Sequence, residues 1–99
     1  DYSVQSSAIE LFKALVAKGK GFEEAIKAAQ AEINSRDYYV RTGASELFKA
    51  LFKKLQELVK QGNEIATARQ LIDSVKDIND QSIKDSAQKL KELLPPVSQ

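Results

Sequence analysis

The sequence contains no cysteine, histidine, methionine or tryptophan. Without cysteine or histidine it can form no disulfide, no thiolate nucleophile and no Ser-His-Asp or Cys-His arrangement, and it lacks the ligands of almost all zinc sites. The longest uninterrupted apolar run, residues 14–17, has four residues, whereas a membrane-spanning helix needs about 20. These absences exclude most enzyme classes, and we expect a cytoplasmic protein without catalytic residues, cofactor, metal or membrane contact.

An excess of charge of one sign is also missing. The 99 residues include 15 Lys and Arg against 14 Asp and Glu, for a formal net charge of +1. Such a balance without a charged tail argues against nucleic-acid binding. With 42% apolar residues, the chain can bury the core of one domain. We expect a single all-α domain over residues 1–94, monomeric, with a flexible tail over residues 95–99.

An internal repeat organises the chain. Residues 1–18 read DYSVQSSAIELFKALVAK and residues 37–54 read DYYVRTGASELFKALFKK, so that eleven of eighteen aligned positions are identical. A third, weaker copy begins at Asp80. Repetition of this kind is typical of a helical solenoid, in which each repeat buries its apolar face against its neighbours.

The apolar residues of each copy recur at helical spacing, and two further amphipathic stretches lie between the copies. Five helices are therefore predicted. Asp37 and Asp80 are expected to cap helix N-termini, while Gly62 followed by Asn63 predicts a helix end and a new cap. The apolar stripes expected to face the core are Val4, Ala8, Leu11 and Leu15 in the first helix, and Val40, Ala44, Leu47 and Leu51 in the third.

The third helix is predicted to be unusually long. The interval from Asp37 to Ile65 is seven residues longer than the equivalent interval from Asp1 to Phe22, and the extra residues keep a helical pattern without Gly or Pro. We expect one helix from about residue 38 to 61, roughly two turns longer than a uniform repeat requires. Its first half should pack on helices one and two and its second half on helices four and five, with Leu47, Phe48 and Leu51 at the centre of the core.

Residues 22–54 resemble a HEAT repeat: an amphipathic helix, a tight turn, and a second helix carrying Asp37, Val40, Arg41, Ala44 and Leu47 at the family's spacing. The resemblance implies a short HEAT-like stack or bundle, with a lone second helix at residues 1–18 and repeats at residues 22–54 and 64–94. It also implies a protein or peptide partner along the second-helix face.

The composition is also typical of an engineered or designed protein, because it relies on the strong helix formers Ala, Leu, Lys, Glu and Gln; a trimmed natural fragment is the alternative. The outer flanks of the first and last helices are small or polar, which favours a self-contained unit. Two functions remain open: a non-enzymatic helical-repeat scaffold that needs no partner, and a protein- or peptide-binding module of the HEAT type.

Three short motifs admit chemical interpretations, and each has a more ordinary one. Residues 19–21, Gly-Lys-Gly, could hold an anion but favour an interhelical turn. Residues 77–81 begin like a calcium loop, but the glycine and the terminal glutamate of such a loop are missing, so a polar turn is favoured. Asp73 and Asp77, four residues apart, could form an acid–base pair, although exposed helix charges are far commoner.

A partner-binding surface, if there is one, is expected at the start and along the exposed side of the third helix. The tyrosines at the helix starts can anchor a partner, but packing at the turn is favoured because Tyr2 and Tyr38 recur at the same repeat position. The candidate partner-binding residues are Tyr38, Tyr39, Arg41 and Phe52.

Overall fold

A computed structural model describes residues 2–96, with side chains from residue 7 onwards. This part of the chain is all-helical and contains no strand. The five helices are α1 (Tyr2–Ala17), α2 (Phe22–Glu32), α3 (Tyr38–Lys60), α4 (Ile65–Ser74) and α5 (Gln81–Leu93). The side chains of Tyr2 and Val4, and residues 97–99 of the predicted tail, lie outside the described part.

The helix boundaries follow from local capping. The Asp37 carboxylate accepts hydrogen bonds from the backbone N–H groups of Tyr39 (2.8 Å) and Val40 (3.2 Å), and Asp80 accepts one from Ile83 N–H (3.1 Å). Each bond satisfies a donor that the first helical turn leaves without a partner. The two predicted aspartate caps are therefore confirmed.

The predicted helix end at Gly62 is also confirmed. Gly62 has φ 82°, and the N–H groups of Gly62 and Asn63 donate to the carbonyls of Val59 (2.9 Å) and Leu58 (2.8 Å), which is a Schellman motif. Since Asn63 is used in this motif, it does not cap α4, and that prediction is wrong. The N-cap of α4 is Glu64, with φ 58° and no capping bond from its side chain.

Each helix contacts the next helix and the one after it. Among the described residues, α1 contacts α2 and α3, α2 contacts α3 and α4, and α5 contacts α3 and α4, while α1 touches neither α4 nor α5. The helices α1, α3 and α5 therefore lie side by side, with α2 and α4 as a second layer. Only α3 contacts all four other helices.

The long α3 supplies the centre of the core. It runs without a break from Tyr38 to Lys60, which confirms the prediction of an uninterrupted helix. Leu47, Phe48 and Leu51 are fully buried, as predicted. The other large side chains that are almost completely buried come from all four remaining helices and from the second half of α3: Val16, Ile26, Phe52, Leu55, Leu71, Ile83 and Leu90.

The neighbours of α3 are arranged around it and not divided between its halves. Lys13 of α1 pairs with Glu46 in the first half of α3, whereas Ala17 of α1 borders the same cleft as Glu57 in the second half. On the other side, Asp80, which precedes α5, borders a cleft with Arg41 in the first half. The expectation that each half serves a different pair of helices is therefore wrong.

The predicted apolar stripe of α1 is wrong at Ala8 and Leu11, whereas its residue Leu15 is half-buried. Leu11 is 60% exposed and Ala8 is exposed, while Ile9 and Val16 are buried. The equivalent of Leu11 in the second copy, Leu47, is fully buried. The difference arises because α1 has helices only on the side of α2 and α3, and the described residues provide nothing to cover its opposite side.

Candidate functional site

Two tyrosines stand exposed at the start of α3. Tyr38 and Tyr39 are 65% and 66% exposed, and they are two of the four large hydrophobic side chains that are exposed among the described residues. Their ring centroids lie 5.6 Å apart with an interplanar angle of 77°, an edge-to-face arrangement that aromatic pairs prefer. The Asp37 cap fixes this first turn by holding the Tyr39 N–H, so the pair is presented on rigid backbone.

Arg41 joins the tyrosines to the preceding turn. Its guanidinium donates to the backbone carbonyl of Ser35 at 2.7 Å and lies 5.9 Å from the centroid of the Tyr38 ring, within the range of a cation–π contact. Arg41 is half-buried, because its aliphatic part lies along the helix while its head reaches the turn. The structure therefore brings three of the four predicted partner-binding residues together; we call Tyr38, Tyr39 and Arg41 the tyrosine patch.

Phe52 does not belong to this patch. It is 1% exposed and forms part of the core cluster, so the prediction that it contacts a partner is corrected. The reason is its register, since Phe52 lies four residues after the buried Phe48 and shares its helix face. The same spacing is visible in the sequence and could have placed Phe52 in the core.

A cleft of about 520 Å³ borders the tyrosine patch. It lies between the first half of α3 and the segment that leads into α5, and Ile33 and Ile78 contribute its apolar wall. Its charges balance, with Arg41 and Lys49 against Glu46 and Asp80. The complete lining is Ile33, Asn34, Tyr38, Arg41, Thr42, Ser45, Glu46, Lys49, Ile78, Asn79 and Asp80.

The two acidic residues of the cleft form hydrogen bonds with other groups, and one lysine of the cleft has no acidic partner. Glu46 accepts a hydrogen bond from Lys13 Nζ at 3.0 Å, and the Asp80 carboxylate caps α5. Lys13 also donates to Glu10 at 3.1 Å, and these bonds, the one to Glu46 first, raise the pKa of Lys13 above its usual value. Within the described residues, Lys49 forms no ion pair.

The alternative motifs take their ordinary roles. Gly19 and Gly21 have φ 78° and 66° in the turn between α1 and α2, conformations that favour glycine. Asp73 lies in α4 and forms an ion pair with Lys76 (3.3 Å), whereas Asp77 follows the end of α4, so the two do not share a helix face. The described residues contain no group of three or more carboxylates placed to hold a metal ion.

A second concave surface was not predicted from the sequence. It is a cleft of about 460 Å³ between α4 and the end of α5, next to a smaller one of about 180 Å³ that shares the lining residues Ile72, Lys76 and Lys91. The signal was divided between two segments: Arg69 lies on α4 and Lys76 in the turn that follows it, while Lys84 and Lys91 lie seven residues apart on α5. Only the packing of α4 against α5 brings these residues to one groove.

The chain matches no known protein family, no curated protein and no solved structure. None of the described helices is long and apolar enough to cross a membrane.

Proposed function

We propose that this protein is a non-enzymatic, HEAT-like helical-repeat scaffold that binds a protein or peptide segment at the tyrosine patch. The observation that carries the proposal is the exposure of two adjacent tyrosines, Tyr38 at 65% and Tyr39 at 66%, with Tyr38 on the rim of a cleft of about 520 Å³. Large aromatic side chains anchor protein interfaces because they bury much apolar area with little loss of side-chain entropy.

The polar surroundings suit a peptide better than a small apolar ligand. Arg41 is held by Ser35 and Tyr38, so little entropy is lost when it contacts a partner. Lys49, without an ion pair in the described structure, can meet a carboxylate, and Asn34 and Asn79 offer amide groups on the cleft wall. An aromatic anchor with a polar rim is the usual composition of an interface.

The HEAT-like assignment is supported by the sequence repeat and by the order of helix contacts. Each helix meets only the next two along the chain, as expected when successive helical pairs stack on their neighbours. A scaffold that needs no partner is the second candidate, favoured because every buried side chain in the described residues is apolar.

Selection from a displayed random peptide library tests the proposal. The bait is the whole protein, and the counter-bait is the double variant Tyr38→Ala/Tyr39→Ala, which should fold normally because both rings are exposed. We expect selected peptides to share a motif and to lose about tenfold or more in affinity for the counter-bait.

The matched control is Leu11→Ala/Leu93→Ala, which removes the other two exposed large hydrophobic side chains. This control should keep peptide affinity within about twofold, because ordinary surface changes have small effects. Selected peptides that bind the tyrosine variant as well as the wild type would contradict the proposal. Failure to enrich any motif would favour the partner-free scaffold.

A further inference from the structure

The groove between α4 and α5 combines an excess of basic residues with large apolar residues. The cleft between α1 and α3 is also basic, with Lys13, Lys53 and Lys54 against Glu57, but its apolar lining consists of alanines alone. Four of the fifteen basic residues of the chain line the two adjacent clefts of the groove, against one of the fourteen acidic residues. The tyrosine-patch cleft, by comparison, has two of each. The twelve residues that line the groove are Arg69, Ile72, Asp73, Val75, Lys76, Lys84, Ala87, Gln88, Lys91, Leu94, Pro95 and Pro96; we call it the α4–α5 groove.

The cations border an apolar floor. On α4, Arg69 and Ile72 lie three residues apart on one face of the helix, and Lys76 follows in the turn after α4. On α5, Ala87 lies between Lys84 and Lys91 at spacings that place all three on one face of the helix. Leu94 extends the floor towards the end of α5. From Lys84 to Leu94 the groove is roughly 15 Å long, the length of three helical turns.

The ends of the groove differ in how far their cations are already engaged. The Arg69 guanidinium donates to the Pro95 carbonyl at 3.0 Å, which ties α4 to the end of α5. Lys76 pairs with the exposed Asp73 at 3.3 Å, an interaction of small energy. The Lys91 side chain has no hydrogen bond or ion pair in the described structure, whereas Lys84 Nζ donates to Asn79 Oδ1 at 3.2 Å. Together with Lys76, these two lysines surround the smaller cleft.

From this charge complementarity we infer that the α4–α5 groove binds an acidic amphipathic helical segment of a partner protein. Apolar side chains of the segment cover Ile72, Ala87 and Leu94, while carboxylates on both edges of its apolar stripe meet the lysines. Helix-in-groove recognition provides the apolar contacts, and opposite charge determines which helices are accepted. The inference is independent of the tyrosine patch.

Lys91 occupies the repeat position of Phe12 and Phe48. The simpler interpretation is that Lys91 belongs to a polar cap, whose only role is to keep the end of the repeat from associating with other molecules. A cap alone requires only polar residues, of either sign, and no apolar floor. The groove instead combines an excess of one sign with half-buried Ile72 and Leu94, which is the composition that a ligand of opposite charge requires.

The test uses a fluorescein-labelled synthetic helix of about four turns, with leucines in one stripe and glutamates on both edges, and measures its anisotropy with the whole protein. A control peptide replaces the glutamates with glutamines. We expect the glutamate peptide to bind about tenfold or more tightly than the glutamine peptide, and its affinity to fall as salt is raised.

Charge reversal identifies the site. Lys84→Glu/Lys91→Glu should weaken binding of the glutamate peptide about tenfold or more, whereas Lys18→Glu/Lys20→Glu, the same change at two exposed residues near the α1–α2 turn, should change it less than about threefold. A peptide with lysines in place of the glutamates should bind the Lys84→Glu/Lys91→Glu protein more tightly than the wild type. This rescue would not occur if the reversal had only disturbed folding.

Three results would overturn the inference: equal loss in the two charge-reversed proteins, no difference between glutamate and glutamine peptides, or displacement of the peptide from the groove by a single-stranded oligonucleotide at equal concentration. The last would identify a general polyanion surface. The Tyr38→Ala/Tyr39→Ala variant should bind the glutamate peptide like the wild type, so failure at one surface is distinguishable from failure at the other.

Discussion

Leu11 and Leu47 occupy the same position in two copies of one sequence, and their replacement by alanine should have very different effects. Both lie in the identical hexapeptide ELFKAL, at residues 10–15 and 46–51. Leu47 is fully buried at the centre of the core and Leu11 is 60% exposed. The pair therefore isolates tertiary burial from local sequence, helix propensity and neighbouring residues.

The expected magnitudes follow from these exposures. Leu47→Ala loses the whole transfer free energy of the side chain and leaves a cavity, so it should lower the free energy of unfolding by about 2 to 5 kcal/mol. Leu11 removes less than half of its surface from water, against about 1.5 to 3 kcal/mol for complete burial. Because alanine is also a slightly better helix former, Leu11→Ala should cost less than about 1 kcal/mol.

Urea unfolding followed by circular dichroism of the helices measures both values. At a slope of about 1 to 3 kcal/mol per molar urea, Leu47→Ala should move the midpoint by about 1 M or more, or leave the protein unfolded without denaturant. Leu11→Ala should leave the midpoint close to that of the wild type. Equal losses in the two variants, or a larger loss for Leu11→Ala, would show that the helix arrangement described for α1 and α3 is wrong.

Two further predictions concern the contact between α1 and α3. Gly43→Ala should raise the free energy of unfolding by up to about 1 kcal/mol, because an alanine Cβ would lie 3.5 Å from Ile9 Cγ2, an ordinary van der Waals distance; a decrease in thermal stability would show that this contact is tighter. The raised pKa of Lys13 stabilises the folded state below the ordinary lysine value of 10.5, and this stabilisation is lost as the pH rises through the higher pKa of the folded state. The difference in free energy of unfolding between the wild type and Lys13→Gln should accordingly be constant from pH 7 to 9 and shrink above pH 10.5. A difference that does not change with pH would show that the charge of Lys13 does not contribute to stability.

The parts of the fold that depend on neighbouring residues in the sequence could be predicted. The Asp37 and Asp80 caps and the end of α3 at Gly62 are formed by groups within six residues of one another, so their signals are contiguous. The continuity of α3 was predictable for the same reason, because the seven additional residues keep the helical period and contain nothing that breaks a helix.

Burial on α1 was not predictable in this way. The hexapeptide around Leu11 is the same as that around Leu47, and the difference between them lies in which helices surround each copy. Glu64 is a smaller example: it adopts φ 58° directly after the Schellman motif that ends α3, a conformation that its own residue type does not predict.

The candidate surfaces lie where the repeat is interrupted. Lys13 of the first copy pairs with Glu46 of the second copy. The residue equivalent to Lys13 in the second copy is Lys49. To form the same ion pair, Lys49 would need an acidic residue at the position of the third copy that is equivalent to Glu46. That position is Lys89, so the series of ion pairs stops and Lys49 is left beside the tyrosine patch. One copy further along, Lys91 replaces the phenylalanine that packs in the core of the second copy, and the α4–α5 groove opens there. Each surface arises from a substitution that a regular repeat would not contain, so a variant that restores the repeat should remove the corresponding surface. In the Lys89→Glu variant, the introduced glutamate should form an ion pair with Lys49, and the tyrosine patch should bind peptides less well. The α4–α5 groove should be unchanged.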